Sequence, residues 1–296
     1  MKMTAKFHLP GLRYNYPLNM MLLSLKEKYP HYFQDNIEIA SFFGKFPTSL
    51  WNGGRFSNGD QCDRRFVEEV VKSINTRGIP VRYTYTNPLL TEEDLADAYC
   101  NFCMKTADNG KNEALVVSPI LEAYIRKNYP GFTINSSTCK EIRGIEGVNE
   151  ELKKDYGLVV LDYNLNNQFG ELQKITDKSR CELLVNACCI PECPRRGEHY
   201  RTIAKQQRIT LKNRRHPADK QIPVPGWHCE YGNCNTIYDI QEYKTFISAE
   251  DIWEKYLPMG FCNFKIEGRT ADYFNLIDTY CYYLMEPKYR DEARLL

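Results

Sequence analysis

The sequence predicts a (β/α)8 TIM-type barrel with a long cysteine-containing insertion between strands seven and eight. Three observations point there. Eight short apolar runs alternate with longer helical patterns. The 296 residues suit a barrel, which takes roughly 250 residues plus insertions. No glycine-rich turn follows the first run, as a doubly wound dinucleotide fold would carry, although alternation alone leaves that open sheet as the competing architecture.

The predicted strands are "KFHLP" (6–10), "IEIASFF" (37–43), "VRYTYT" (81–86), "ALVVS" (114–118), "FTINSS" (132–137), "LVVLDYN" (158–164), "ELLVN" (182–186) and "NFKIEGR" (263–269). Between the second and third, "CDRRFVEEVVKSI" places Phe66, Val67, Val70, Val71 and Ile74 on one stripe at helical spacing. "TEEDLADAYCNFCMK" opens with Thr91 as an N-cap, acids in its first turn, and Leu95, Ala98, Tyr99 and Phe102 on one face. "SPILEAYIRKNYPG" carries a helix that stops before Pro130. An aromatic-rich helix follows the last strand to about Leu284. The whole chain, 1–296, reads as one barrel domain, and 187–261 as an insertion holding a cysteine cluster and a basic strip. Connections that long are usually functional or a small subdomain.

Composition sets limits. The chain is 43% hydrophobic and 26% charged with a net charge of +1, so affinity for polyanions must come from a local patch. "NMMLLSL", the most apolar run, is too short to cross a bilayer, and the first residues lack a signal-peptide core. The expectation is a cytoplasmic protein without a membrane partner. Twelve cysteines in a reducing compartment do not suggest a disulfide framework. Cys100, Cys103 and Cys281 lie inside apolar helical patterns and read as small buried hydrophobes.

Barrel enzymes build their sites from the C-terminal ends of their strands. The polar residues there are Asn87, Asn135, Ser136, Asp162, Asn164 and Asn186. In "CNFKIEGR", period two turns Asn263, Lys265 and Glu267 to one face and Phe264 and Ile266 to the other, with Arg269 at the rim. Lys265, Glu267 and Arg269 are therefore the candidate catalytic group. Asn135, Ser136, Asn164, Asn186, Arg55 and Asn87 are candidates to bind a small anionic or aromatic ligand. A structural Lys–Glu pair is the plainer reading of strand eight. The glycine-rich loop 42–60 adds Trp51 and Asn52 beside Arg55, although its glycines could serve only to turn the chain.

Cys189 and Cys193 (or Cys188 and Cys193) form one half of a ligand set, and Cys229 and Cys234 the other. Two such pairs can hold zinc or a 4Fe–4S cluster, and spacing does not separate them; free cysteines are the third reading. A CxxxCxxC radical pattern is excluded, because Arg196 stands where its third cysteine would be. From Arg195 to Arg215 run eight Lys or Arg against one acid, Glu198. That strip could neutralise RNA phosphates, or be a solvated helix face. His199 within it reads first as a histidine bonded to backbone.

"LLVNACCIPECPRRGEHY" with "GFCNFKIEGR" resembles the collagenase-like peptidase family (peptidase family U, number thirty-two), and "INSS" and "FFGKFP" sit at comparable strand ends. The resemblance implies a barrel with a four-cysteine 4Fe–4S cluster, Cys189 and Cys193 matching the first pair and Cys229 and Cys234 the second. It also implies either peptide hydrolysis or, as in several relatives, oxygen-independent hydroxylation of RNA nucleosides or quinone precursors. No nucleophile–base–acid set and no HExxH motif stands in the chain. The leading expectation is thus an iron–sulfur barrel enzyme that hydroxylates an RNA nucleoside or an aromatic metabolite. A peptidase and a non-enzymatic, metal-stapled binding partner are the alternatives.

Overall fold

A computed structural model describes residues 3–53, 62–214, 216–231, 236–268 and 272–296. Its eight strands are β1 (Ala5–Pro10), β2 (Ile37–Gly44), β3 (Val81–Tyr85), β4 (Glu113–Val116), β5 (Thr133–Ser136), β6 (Val159–Val160), β7 (Cys181–Leu184) and β8 (Asn263–Lys265). They close a barrel in sequence order, each pair parallel, with β8 returning to β1. All eight predicted runs form strands.

Outside the barrel run α1 (Tyr16–Lys28), α2 (Arg64–Thr76), α3 (Ala98–Ala107), α4 (Pro119–Asn128), α5 (Ile145–Leu152) and the short α6 (Phe169–Leu172). A last long helix, Tyr273–Leu284, closes the ring. α2 starts where Asp63 accepts a hydrogen bond from the Phe66 amide at 2.7 Å, and it buries Val67, Val70, Val71 and Ile74. The helix predicted from Thr91 is split. Thr91 and Asp94 form a capping box around a single 3-10 turn, Glu92–Ala96, and Asp97 then caps α3 through the Cys100 amide at 2.8 Å. Two caps six residues apart stop one helix and start another.

The apolar core lies between the barrel wall and these helices. Phe7, Phe264 and Tyr283 pack together there, as do Trp51, Tyr83 and Tyr85. Those on strands alternate with residues turned inward. The register of β1 on β2 slips by one residue between Phe7 and His8, which sets His8 opposite Ser41 inside the barrel. Between β7 and β8 the insertion forms α7 (Arg196–Asn213), an 18-residue helix. No described helix is long and apolar enough to cross a membrane.

Candidate functional site

Inside the barrel, where Val, Ile and Leu usually fill the layers, the chain places charge. Arg82, on β3, is wholly buried between Glu113 of β4 at 2.5 Å and Glu182 of β7. Its Nη2 donates to His8 Nδ1 at 2.9 Å, and Ser41 Oγ lies 2.8 Å from the same nitrogen. A ring that accepts at Nδ1 carries its proton on Nε2, which faces Asn263 Oδ1 and Glu182 Oε2, each at 3.4 Å. Burial and then the Arg82 charge push His8 down to about 3, so it is a neutral spacer. Burial disfavours the Glu182 carboxylate, yet the charges of Arg82 and Lys265 hold it well below the usual range. Lys265 completes the set, its ammonium 3.3 Å from Glu182 Oε1 and 4.1 Å from the centre of the Phe43 ring. Two cations and two carboxylates balance.

Above this layer lies the mouth. Period two carries Ser41 and Phe43 inward on β2 and brings Lys45 to the same face just beyond the strand. Lys45 is buried and donates to Asn52 Oδ1, and Asn52 Nδ2 in turn donates to the Thr84 carbonyl at 2.6 Å. Gly53 is required next to it, since a Cβ there would meet the Thr86 carbonyl at 2.8 Å. Trp51 is buried, its Nε1 donating to the Asp94 carbonyl. Arg55 and Arg269 lie outside the described residues.

The candidate polar residues have divided destinations. Glu267 and Asn186 clasp: the Asn186 amide donates to the Glu267 carbonyl at 3.0 Å, and the Glu267 amide donates to Asn186 Oδ1 at 2.7 Å. The Glu267 carboxylate accepts from the Cys188 amide at 3.0 Å, tying β8 to the cysteine turn. Asn164 accepts from the Glu192 amide at 2.7 Å, and Glu192 adopts a left-handed φ of +56° in that turn. Asn135 lies within the barrel, donating to Glu113 and accepting from the Leu158 amide. Ser136 turns the other way, out to Glu151 on α5. Asn87 pins its loop, donating to the Leu50 carbonyl and accepting from the Leu89 amide. Asn135, Ser136 and Asn87 are all buried and bonded within the protein.

The cysteine turn sits on the rim. Burial pushes the Cys189 thiol up to about 11, and it packs against Tyr163, whose hydroxyl donates to the Ile190 carbonyl at 3.1 Å. Arg196 stacks over Tyr163 at 4.8 Å and grips Asp162 at the end of β6 with two bonds of 3.0 and 2.7 Å. Cys229 lies in a segment docked on the start of α7. Trp227 stacks flat on His199, with ring centroids 4.7 Å apart, and Arg195 sits 4.4 Å over Trp227 and bonds Glu230. Cys234 lies outside the described residues, and no group of three or more metal-ligating side chains is gathered among those described.

α7 crosses the mouth. Arg196, Ile203, Ala204 and Gln207 are its buried stripe, spaced seven, one and three residues apart. At one end Arg196 holds Asp162 and the Thr138 carbonyl. At the other, Gln207 donates to the Ser49 carbonyl, and Arg208 meets the Leu89 carbonyl and the Asp94 carboxylate. Three cations of the basic strip, Arg195, Arg196 and Arg208, are thereby engaged with acids of the chain itself.

The internal charge layer was readable but not read from sequence. Arg82 and Glu182 stand at inward positions of "VRYTY" and "CELL", and a charge amid apolar strand residues was the signal.

No model of a known protein family matches the chain, and no curated protein matches it. A solved structure described as that of a U32 peptidase is similar over 90% of this chain and 93% of that one, at 13% identity and a TM-score of 0.49. The barrel assignment itself rests on the closed eight-strand topology.

Proposed function

We propose that the protein is an iron–sulfur barrel enzyme that modifies a substrate seated at the mouth beneath α7, by hydroxylation as the sequence resemblance implies. The observation that carries this reading is the rim corner of Cys189 and Cys193. Two thiols lie in one turn there, beside two buried polar atoms, Arg196 Nε and Thr138 Oγ1, that have no hydrogen-bond partner. Buried polar groups are nearly always paired, so such orphans fit a missing acceptor. The sulfurs of a cluster can take hydrogen bonds and need the offsetting charge that a guanidinium offers. Cys189, Cys193, Cys229 and Cys234 would hold it, and it would supply one-electron transfer.

The chain's own groups do the rest. Glu267 holds the cysteine turn through the Cys188 amide. Asp162 fixes Arg196 beside Tyr163. Lys265 presents its charge to the mouth, balanced from below by Glu182. α7, tied at Asp162 and at Ser49 and Asp94, lies over the mouth and lowers the local dielectric, which strengthens each of these interactions.

Anaerobic purification with iron, sulfide and zinc quantified tests the reading. About four irons and four sulfides per chain are expected, with both reduced in Cys193→Ala. One zinc and no iron would make the cysteines a structural staple and overturn it. Peptide hydrolysis that survives Cys193→Ala would favour a peptidase instead.

A further inference from the structure

We infer that a groove on the outer wall of the barrel, between α1 and the last long helix, binds a single-chain carboxylic acid. The alkyl chain lies along α1 and the carboxylate meets Lys28. The site is separate from the mouth and depends on no chemistry there. Sequence supplies its floor. Leu18, Met21, Leu22 and Leu25 recur at i, i+3, i+4 and i+7, one apolar stripe of a helix. The barrel covers only part of that stripe, since Leu22 is 6% exposed and Met21 61%. Ile277 and Cys281, one turn apart on Tyr273–Leu284, line the opposite side. Buried Asn19 sets the spacing: its amide donates to the Pro10 and Gly11 carbonyls, each at 3.1 Å, and its Oδ1 accepts from the Tyr280 hydroxyl at 2.7 Å. The space left is about 440 Å³, within the roughly 300–1,000 Å³ that ligand sites occupy.

Polar groups decide what fits. Ser24 donates to the Met20 carbonyl at 3.1 Å, and the Tyr280 hydroxyl is given to Asn19. Arg294 is paired with Asp278 at 2.7 Å and with Asp291 at 3.5 Å. A polar ligand body would lose its water there and gain no partner. The lining is instead soft. Met20, Met21 and Met285 are flexible and polarisable, suited to a chain of variable shape more than to a fixed ring.

One end differs. Lys28 closes the last turn of α1, its ammonium 5.0 Å over the Tyr29 ring, and makes no ion pair among the described residues. Lys26 stands in the same turn, and the two lysines offset the partial negative charge of the helix end. From Leu18 to Tyr29 the helix rises roughly 16 Å, so an extended chain can run its length with its head at Lys28. A cation at the end of an apolar trough is complementary to a fatty acid. A protein partner fits less well: of the described exposed apolar side chains, Met21 and Leu296 border the groove. Stable interfaces take roughly 800 Å² from each partner.

The test uses the full-length protein with its methionine methyl groups labelled with carbon-13 and followed by nuclear magnetic resonance. It is titrated with dodecanoate below its micelle concentration, and separately with dodecanol and with phosphatidylcholine vesicles. Dodecanoate should move the Met20, Met21 and Met285 signals together and saturably, while Met104 and Met259, away from the groove, hold still. Dodecanol should bind about fivefold more weakly, and Lys28→Gln should bring dodecanoate down to the same level, the most that an exposed ion pair contributes. Met21→Glu, at an exposed position, should weaken dodecanoate by about tenfold or more. The methyl signals of the unsubstituted protein read the contact should either variant not fold. Still signals on addition of dodecanoate overturn the proposal, as does equal binding of dodecanol and dodecanoate. A response to vesicles alone would assign the groove to a membrane surface. Shifts that follow protein concentration without added acid would assign it to a second copy of the chain. Either of those outcomes also overturns it.

Discussion

His8 shows how one side chain can carry the pH response of a barrel. Its ring is pushed down to about 3 by burial and by Arg82, from an ordinary 6.5. Above pH 6.5 the folded and unfolded chains both hold it neutral. Between 6.5 and about 3 only the unfolded chain takes the proton, so the fold loses stability as pH falls, by up to about 1.4 kcal/mol per pH unit. Urea unfolding of wild type and His8→Gln across pH 7 to 4.5 checks this. The wild type should lose stability faster, and equal slopes would contradict a neutral buried His8. Below pH 4.5, Glu182, held under the carboxylate range, adds a second loss in both proteins, so the comparison belongs above that point. At this scale the sequence is only partly legible. Period two in "CNFKIEGR" brings Lys265 inward, and the ammonium does reach Glu182. The partner itself was hidden, because nothing local to Glu182 says that β3, one hundred residues earlier, brings Arg82 against it.

Elements were legible where their signals are local. Short apolar runs marked all eight strands, and the apolar stripe marked α2. β6 shrank to Val159–Val160 because Asp162 turns its carboxylate onto the Asn164 amide at 2.9 Å and ends the strand in a helical turn. The use of α7 was illegible: a basic strip reads alike whether its cations face solvent or acids from distant loops. That helix carries a prediction of its own. Its far end is held by Arg208 and Gln207, its near end by the buried Arg196–Asp162 pair. Arg208→Ala should raise amide exchange over about residues 203–213 by roughly tenfold, a loss near 1.4 kcal/mol, within reach of a partly buried ion pair. Exchange around 162–166 should stay as it was. Uniform acceleration along both segments would mean that α7 is not tied independently at its two ends.

At the scale of the whole molecule, the charged layer replaces the apolar filling of a barrel interior, and its stability depends on staying complete. Arg82 touches β1, β4 and β7 through His8, Glu113 and Glu182. Arg82→Met removes the cation shared by Glu113 and Glu182 and should cost about 3–5 kcal/mol. The double change Arg82→Met, Glu113→Gln, which removes one charge of each sign and keeps Glu182 matched by Lys265, should recover part of that loss. Chemical denaturation of the three proteins gives the order, and a double variant weaker than the single one would refute a balanced network.

The strap across the mouth also has a kinetic meaning. In the proposed reading, a substrate seated beneath α7 leaves when Arg208 lets go of Asp94 or when the helix swings on its Asp162 anchor. Residence time is then governed by the latch more than by the contacts at the mouth. Loosening Arg208 should quicken departure far more than arrival, and turnover would follow the opening of one helix.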